Sequence, residues 1–429
     1  MKRYYLLLLF FGMGFPQATG LALFGIGEEI LNTDPASLAL GSSRFFTGNS
    51  INIASGSPSS LWRSALTRFT IHSGINYLTI PQLPEQFQHN LTHFSITFPI
   101  GIKKVFGFGL TPTFRTNRLE IKEDFQYIGA DESLTGIPIA YKSHYFIDGG
   151  MSELFFQYSQ KWTPHFSFGI KYSFLFGNQF LNDELYTYDV IIDTVFSQGL
   201  LIGENLENED IVYIQAINEN MVRIERSNKF SGNVFTIEGR YIFPHQEWVI
   251  RLSVNGNINV LTGITQTINN ELFDNNFNYI ASKSKSDIGL GYHFLYNENS
   301  GFIIEVHKNY KLNIPEEVAL FNITSPHENS IHFGTYFQVV NPKFGLWNNI
   351  NLRAGGYYKE LDYDEDKYLD YGFTFGLGLE YLSNSQIFDL AIRAGKKESY
   401  ILQDQYEKYI SLHFGISTGE KWFMKRRRK

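Results

Sequence analysis

Cysteine is absent from the 429 residues. That excludes a disulfide scaffold, a thiolate metal site and a cysteine nucleophile. Charge is sparse as well: Asp, Glu, Lys and Arg make up 18% of the chain, against roughly 25% in ordinary globular domains. The net charge of −7 gives no electrostatic reason to expect nucleic-acid binding. After the N-terminus no apolar run approaches the roughly 18 residues that a spanning helix needs, so a helical membrane protein is excluded too. What the chain has in quantity is aromatic residues, 16% with 39 Phe and 26 Tyr, and 37 Gly. The mean hydropathy is nevertheless −0.18, so the apolar residues are interleaved with polar ones. An aromatic-rich, glycine-rich chain of this kind is what an outer-membrane barrel requires.

Lys2 and Arg3 precede the apolar run Tyr4 to Phe15, and Ala18-Thr19-Gly20 follow. A basic start, a short apolar stretch and a small-residue exit are the layout of a secretory signal, so 1–20 is expected to be removed. The mature charge then falls from −7 to −9, through the loss of Lys2 and Arg3.

Beyond the signal, the governing pattern has period two. Tyr371, Phe373, Phe375, Leu377 and Leu379 alternate with Gly372, Thr374, Gly376, Gly378 and Glu380. A strand sends alternate side chains to opposite faces, so one face is apolar and the other small or polar. Similar segments fall near 65–80, 91–100, 103–115, 145–160, 165–178, 231–244, 247–260, 281–296, 301–313, 330–341, 349–358, 370–382, 387–398 and 408–418. They predict an all-β fold, a 14-stranded antiparallel transmembrane barrel spanning 65–420. The connections alternate long and short without exception, as expected for outer loops and periplasmic turns. Trp62, Trp162, Trp248, Trp347 and Trp422 all fall on the short-turn side, where they are expected to form a membrane-interface belt with outer-membrane lipid. Pro112 lies inside the third segment, where its missing donor predicts a strand end or a bulge.

The polar face would line the lumen with charges of both signs, among them Glu238, Arg240, Arg251, Glu305, Arg353, Asp389 and Arg393. Something has to fill that space, and 21–64 is available, rich in Gly, Ser, Ala and Asn. It contains Ala39-Leu40-Gly41 with Phe45, and Ser57-Pro58-Ser59-Ser60-Leu61 shortly before the first strand. In these stretches the chain resembles the FadL-like outer-membrane proteins, which include long-chain fatty-acid transporters and PorV-like proteins of a secretion system. Those begin with a small-residue "ALGxG-aromatic" stretch and an "Asn-Pro-Ala-Gly-Leu" stretch. Here Ser57 replaces Asn and Ser59 replaces Ala. The resemblance implies that 21–64 folds into the lumen as a plug, and that a lateral opening in the wall releases hydrophobic ligands.

No catalytic motif and no cofactor motif is present: there is no H-E-x-x-H, G-x-S-x-G or P-loop, so an enzyme is not expected. The acidic cluster Asp362, Asp364, Glu365, Asp366 and Asp370 lacks the Gly and distal Glu of a calcium loop and reads as a solvated loop, so no metal is expected. The segment 181–229 carries ten acidic and three basic residues, and Ile211 to Glu225 reads as a protruding hairpin of its own. A basic tail, 421–429, extends past the last strand toward the periplasm, placed to meet lipid headgroups or an acidic partner.

The resulting expectation is a passive channel for small hydrophobic, fatty-acid-like molecules in the outer membrane of a Gram-negative-type bacterium. Phe45, Phe46 and Leu61 of the plug would flank the path, and Arg240, Arg251, Arg353 and Arg393 would attract a carboxylate. The alternative is a PorV-like accessory barrel of a secretion or surface-assembly system, binding protein partners without transporting small molecules.

Overall fold

A computed structural model describes residues 28–30, 34–48, 53–79, 86–128, 137–194, 212–256, 258–282, 286–309, 327–340, 347–362, 367–381, 386–399 and 406–420. The signal expected at 1–20, the basic tail with Trp422, and Asp364, Glu365 and Asp366 lie outside the described residues.

Alternating sequence needs two different solvents, one on each side of a sheet, and a closed sheet supplies them without leaving an edge. The chain forms a single antiparallel sheet in which sequence neighbours are spatial neighbours. After the short β1 (Glu28–Glu29), six wall strands lead off: β2 (Thr67–Thr79), β3 (Gln86–Gly101), β4 (Lys104–Ile128), β5 (Ile137–Lys161), β6 (Phe166–Thr194) and β7 (Val212–Ile242). The next wall strand is broken into β8 (Gln246–Asn255) and β9 (Ile258–Ile268), and its partner into β10 (Glu271–Ser282) and β11 (Ser286–Asn297). Six more follow: β12 (Ser300–Asn309), β13 (His327–Val340), β14 (Trp347–Asp362), β15 (Lys367–Tyr381), β16 (Gln386–Ser399) and β17 (Tyr406–Glu420). Counting each broken strand once gives fourteen. The barrel closes where β17 pairs with β2, from Lys408 opposite Thr79 to Glu420 opposite Thr67.

The wall is far from uniform in height. β4, β5, β6 and β7 have 25, 25, 29 and 31 residues, whereas β12 has 10. About ten residues cross an apolar core, so the tall side rises well beyond it. Much of what reads in the sequence as outer loop is therefore strand. The stretch Ile211 to Glu225 is not a separate hairpin: Val212 onward pairs with β6, Val212 opposite Thr194 and Glu225 opposite Asn182. Asn218 falls at a register shift between Glu219–Tyr188 and Ile217–Asp189. The change of phase that mimics a turn is a bulge, because the long neighbouring strand offers continuous pairing on both sides of it. The segment 261–280 is likewise a hairpin extension. Asn269 and Asn270, both with positive φ (49° and 67°), make the two-residue turn between β9 and β10 that suits strand twist.

Candidate functional site: the plug, its sockets and a split in the wall

The described parts of the N-terminal segment, 34–48 and 53–64, pack against the wall strands and are hydrogen-bonded by charged side chains from them. A four-residue helix, Pro35–Leu38, is capped by Asp34, which accepts from the Ser37 backbone N–H at 2.8 Å. The same carboxylate accepts from the backbone N–H of Ser55 at 3.1 Å, so it ties two limbs of the plug together. Beyond the helix the chain turns back through Gly41, φ 72°. A Cβ there would sit 2.3 Å from the Gly356 carbonyl oxygen, so both its conformation and its packing demand glycine. Thr374 of β15 accepts from the Gly41 N–H at 2.8 Å and donates to the Ala39 carbonyl at 2.9 Å. The Ala-Leu-Gly stretch is thus small because the plug backbone lies directly on the wall.

Two glutamates form the main sockets, and both are fully buried. Glu305 of β12 accepts from the Ser43 hydroxyl, from the Arg44 N–H at 2.7 Å and from the Phe45 N–H at 3.1 Å. Glu238 of β7 accepts from the hydroxyls of Ser57 and Ser59, and from Arg251 at 3.0 and 2.6 Å. Ser57, Ser59 and Ser60 stand where the FadL-like stretch has Asn, Ala and Gly; the first two reach the socket, and Ser60 donates to the Ser57 carbonyl at 2.7 Å. The turn that carries them, Pro58–Arg63, lies flat on Gly169 of β6, where a Cβ would come within 2.3 Å of the Ser59 nitrogen.

The arginines singled out from the sequence are all engaged inside the protein. Arg240 donates to Ser59 Oγ at 3.0 Å, to Ser57 Oγ at 2.7 Å, to the Phe45 carbonyl at 2.9 Å and to Glu247. Glu247 also accepts from Arg63 of the plug at 2.6 Å. Arg251 reaches the Gly56 carbonyl and lies over the Phe45 ring at 4.6 Å. Arg353 donates to the Thr47 carbonyl at 2.8 Å and to Asp389 at 2.9 Å. Arg393 alone of the four is assigned to the wall: it lies between the Tyr357 and Tyr409 rings, at 4.5 and 4.7 Å, and donates to Asp370 at 3.1 Å. Phe45 and Phe46 pack with Leu40, Val249, Ile303 and Tyr336. Leu61 is buried beside a small polar cavity of about 50 Å³ that Arg68 and His72 also line.

Away from these sockets the wall splits. β3 and β4 pair from Gly101–Lys104 up to Phe94–Leu110, and no further pair joins them among the described residues. Just above lies Pro112, and the register of β4 against β5 shifts between Pro112 and Phe114, the bulge expected from the missing donor. The Thr113 carbonyl turns to the N-terminal segment and accepts from the Ile30 N–H at 2.9 Å. A two-residue strand, Glu28–Glu29, then pairs antiparallel with Phe114 and Arg115. Strand edges left open inside hydrocarbon are costly, and here the plug segment covers part of one.

Beside this split is a cavity of about 190 Å³, lined by Ile30, Thr113, Phe114, Met151, Leu175 and Arg251 among others. Its apolar side belongs to a buried cluster of Met151, Leu175, Phe230, Ile258 and Val260. The cations on its other side are engaged: Lys171 with Glu153 at 2.7 Å and Arg44 with Glu328 at 2.9 Å. Among the described residues no group of His, Asp and Glu is arranged to hold a metal.

Of the five tryptophans, Trp162 is exposed in the β5–β6 turn and Trp248 is half-exposed on β8. Trp62 lies in the plug's last turn, Pro58–Arg63, beneath Lys161, whose Nζ lies 4.4 Å from the ring. Trp347 opens β14.

The family model described as BamG matches residues 17–429. No curated protein sequence matches the chain. Among solved structures, the CymD monoaromatic hydrocarbon channel is similar, with a TM-score of 0.53 and 11% identity over 94% of this chain and 99% of that one. The toluene transporter TodX of P. putida is similar at a TM-score of 0.50 and 13% identity, over 93% of this chain and 99% of that one. At such identities the likeness is one of fold, and it is the FadL-like fold that the N-terminal stretches led us to expect.

Proposed function

Since the chain belongs to the BamG family, we propose that it acts in the outer membrane as an accessory barrel of a secretion or surface-assembly system, binding protein partners without carrying small molecules through its lumen. One observation carries this reading: Glu238, Glu305, Arg240, Arg251 and Arg353 are all spent on the plug. Charges that guide a solute face water or the solute. These face the hydroxyls, amides and carbonyls of the protein's own N-terminal segment, and freeing that segment would leave several of them buried and unpaired. The tall side of the wall, β4 to β7, supplies a surface for partners beyond the membrane.

The test is gentle extraction of the native outer membrane, with stoichiometry measured by mass. The expected result is a stable complex with other outer-membrane proteins. Replacing Thr187–Asn220 by Asn-Gly joins Tyr186 to Met221, which face each other in the sheet, and should remove those partners while the barrel persists. A protein that is always recovered alone would overturn the reading.

The cavity beside the split favours a second reading, a passive route for small hydrophobic molecules that enters the membrane sideways. Its volume is comparable to the ~150 Å³ apolar cavity that accommodates benzene in another protein. Saturable binding of toluene, lost in Met151→Trp, would favour this route. Toluene binding equal in wild type and variant would exclude the cavity as its site.

A further inference from the structure

Two neighbouring periplasmic turns form a patch that neither reading of the lumen uses. The first, between β3 and β4, is Gly101-Ile102-Lys103-Lys104, and Ile102 is 98% exposed at its tip. The second, between β5 and β6, is Lys161-Trp162-Thr163-Pro164-His165, and Trp162 is 68% exposed. A backbone hydrogen bond of 3.0 Å from Lys161 N–H to the Lys103 carbonyl locks the turns together. Neither 99–105 nor 160–166 contains a carboxylate. Lys103 and Lys104 are exposed, whereas Lys161 turns inward onto the Trp62 ring, so two cations stand at the outer side of the patch with no carboxylate in either turn.

What lies next to the patch identifies its occupant. On the outward face an aromatic row runs directly into it: Phe98 against Phe106 at 5.4 Å, Phe106 against Phe156 at 6.5 Å, and Trp162 against Phe168 at 5.9 Å. An aromatic girdle ending in an exposed Ile and Trp and flanked by lysines has the order of a bilayer interface: acyl chain, glycerol level, phosphate. A water-soluble acidic partner would give no reason for an isoleucine with nearly all its surface free.

We propose that Lys103 and Lys104, with Ile102 and Trp162, form a binding site for the headgroup of an anionic phospholipid in the periplasmic leaflet. The phosphate sits among the lysines while Ile102 and Trp162 enter the acyl–headgroup boundary. The site needs only that the barrel lies in the membrane, so it stands apart from whether the lumen conducts.

Full-length protein in nanodiscs of phosphatidylethanolamine with a minor fraction of phosphatidylglycerol tests this, retained lipids being counted by native mass spectrometry after release. Wild type should retain phosphatidylglycerol in preference to phosphatidylethanolamine. The double variant K103Q/K104Q should lower that preference about tenfold, and K103R/K104R should restore it. K408Q, at the opposite rim, should leave it unchanged. Heat-modifiable gel mobility shows whether each barrel is folded. Equal retention of both lipids by wild type, as expected if the patch takes an acidic protein instead, or a preference that survives the glutamine variant, would overturn the proposal.

Discussion

The two regions of the lumen differ in what each leaves unsatisfied. Around the plug, the wall presents Glu238, Glu305, Arg240 and Arg353, and the N-terminal segment answers with serine hydroxyls, amides and carbonyls. Beside the β3–β4 split, one side of the wall presents Met151, Leu175, Phe230, Ile258 and Val260, which ask for nothing polar, and the other side presents Lys171 and Glu153, which satisfy each other. Polarity in a barrel interior therefore records its occupant. Around the plug the charges are matched by the protein's own backbone and hydroxyls; beside the split, space remains between an apolar cluster and charged side chains such as Lys171 and Glu153 that pair with each other.

That contrast can be broken from the polar side first. Glu238→Ala strands Arg251 and removes the anchor of Ser57 and Ser59. It should cost about 4 kcal/mol, read as a lowered thermal midpoint in detergent with faster proteolysis within 53–64. Phe45→Ala removes the ring beneath Arg251 and opens the packed layer around Leu40 and Ile303. About 3 kcal/mol is expected, again with loss of protection in the plug. Met151→Ala, in the apolar region, should cost about 2 kcal/mol but leave plug proteolysis unchanged, because no plug hydrogen bond depends on that side chain. Were the plug to loosen equally, the two regions would not be independent. Smallest is Thr374→Val, which deletes the bridge between the Gly41 amide and the Ala39 carbonyl. A loss of about 1 kcal/mol is expected, measured as faster amide exchange at Gly41.

How legible this was in the chain depends on the range of the interaction. Alternation is local, so the fourteen strands and the irregularity at Pro112 could be read directly; the strict order of long and short connections did not hold, because the expected long connection 261–280 is a two-residue turn between β9 and β10. The heights of β6 and β7 could not: the phase change at Asn218 looks the same whether it makes a turn or a bulge, and only the partner strand decides. Asn269-Asn270 carried a usable signal, since two consecutive asparagines tolerate the positive φ of a two-residue hairpin turn. The arginines were found by face, but their partners were not, since Ser57 and Glu238 meet only once the barrel has closed around the plug. Ser57 and Ser59 read as degraded motif positions. Their hydroxyls fit this particular socket.

The most direct test of the central claim, that the lumen charges lock the plug in place, is flux. Proteoliposomes holding the full-length protein should take up labelled fatty acid no faster than empty liposomes, while the double variant Glu238→Ala, Glu305→Ala should leak. Saturable uptake by the wild type, unchanged in the double variant, would contradict it.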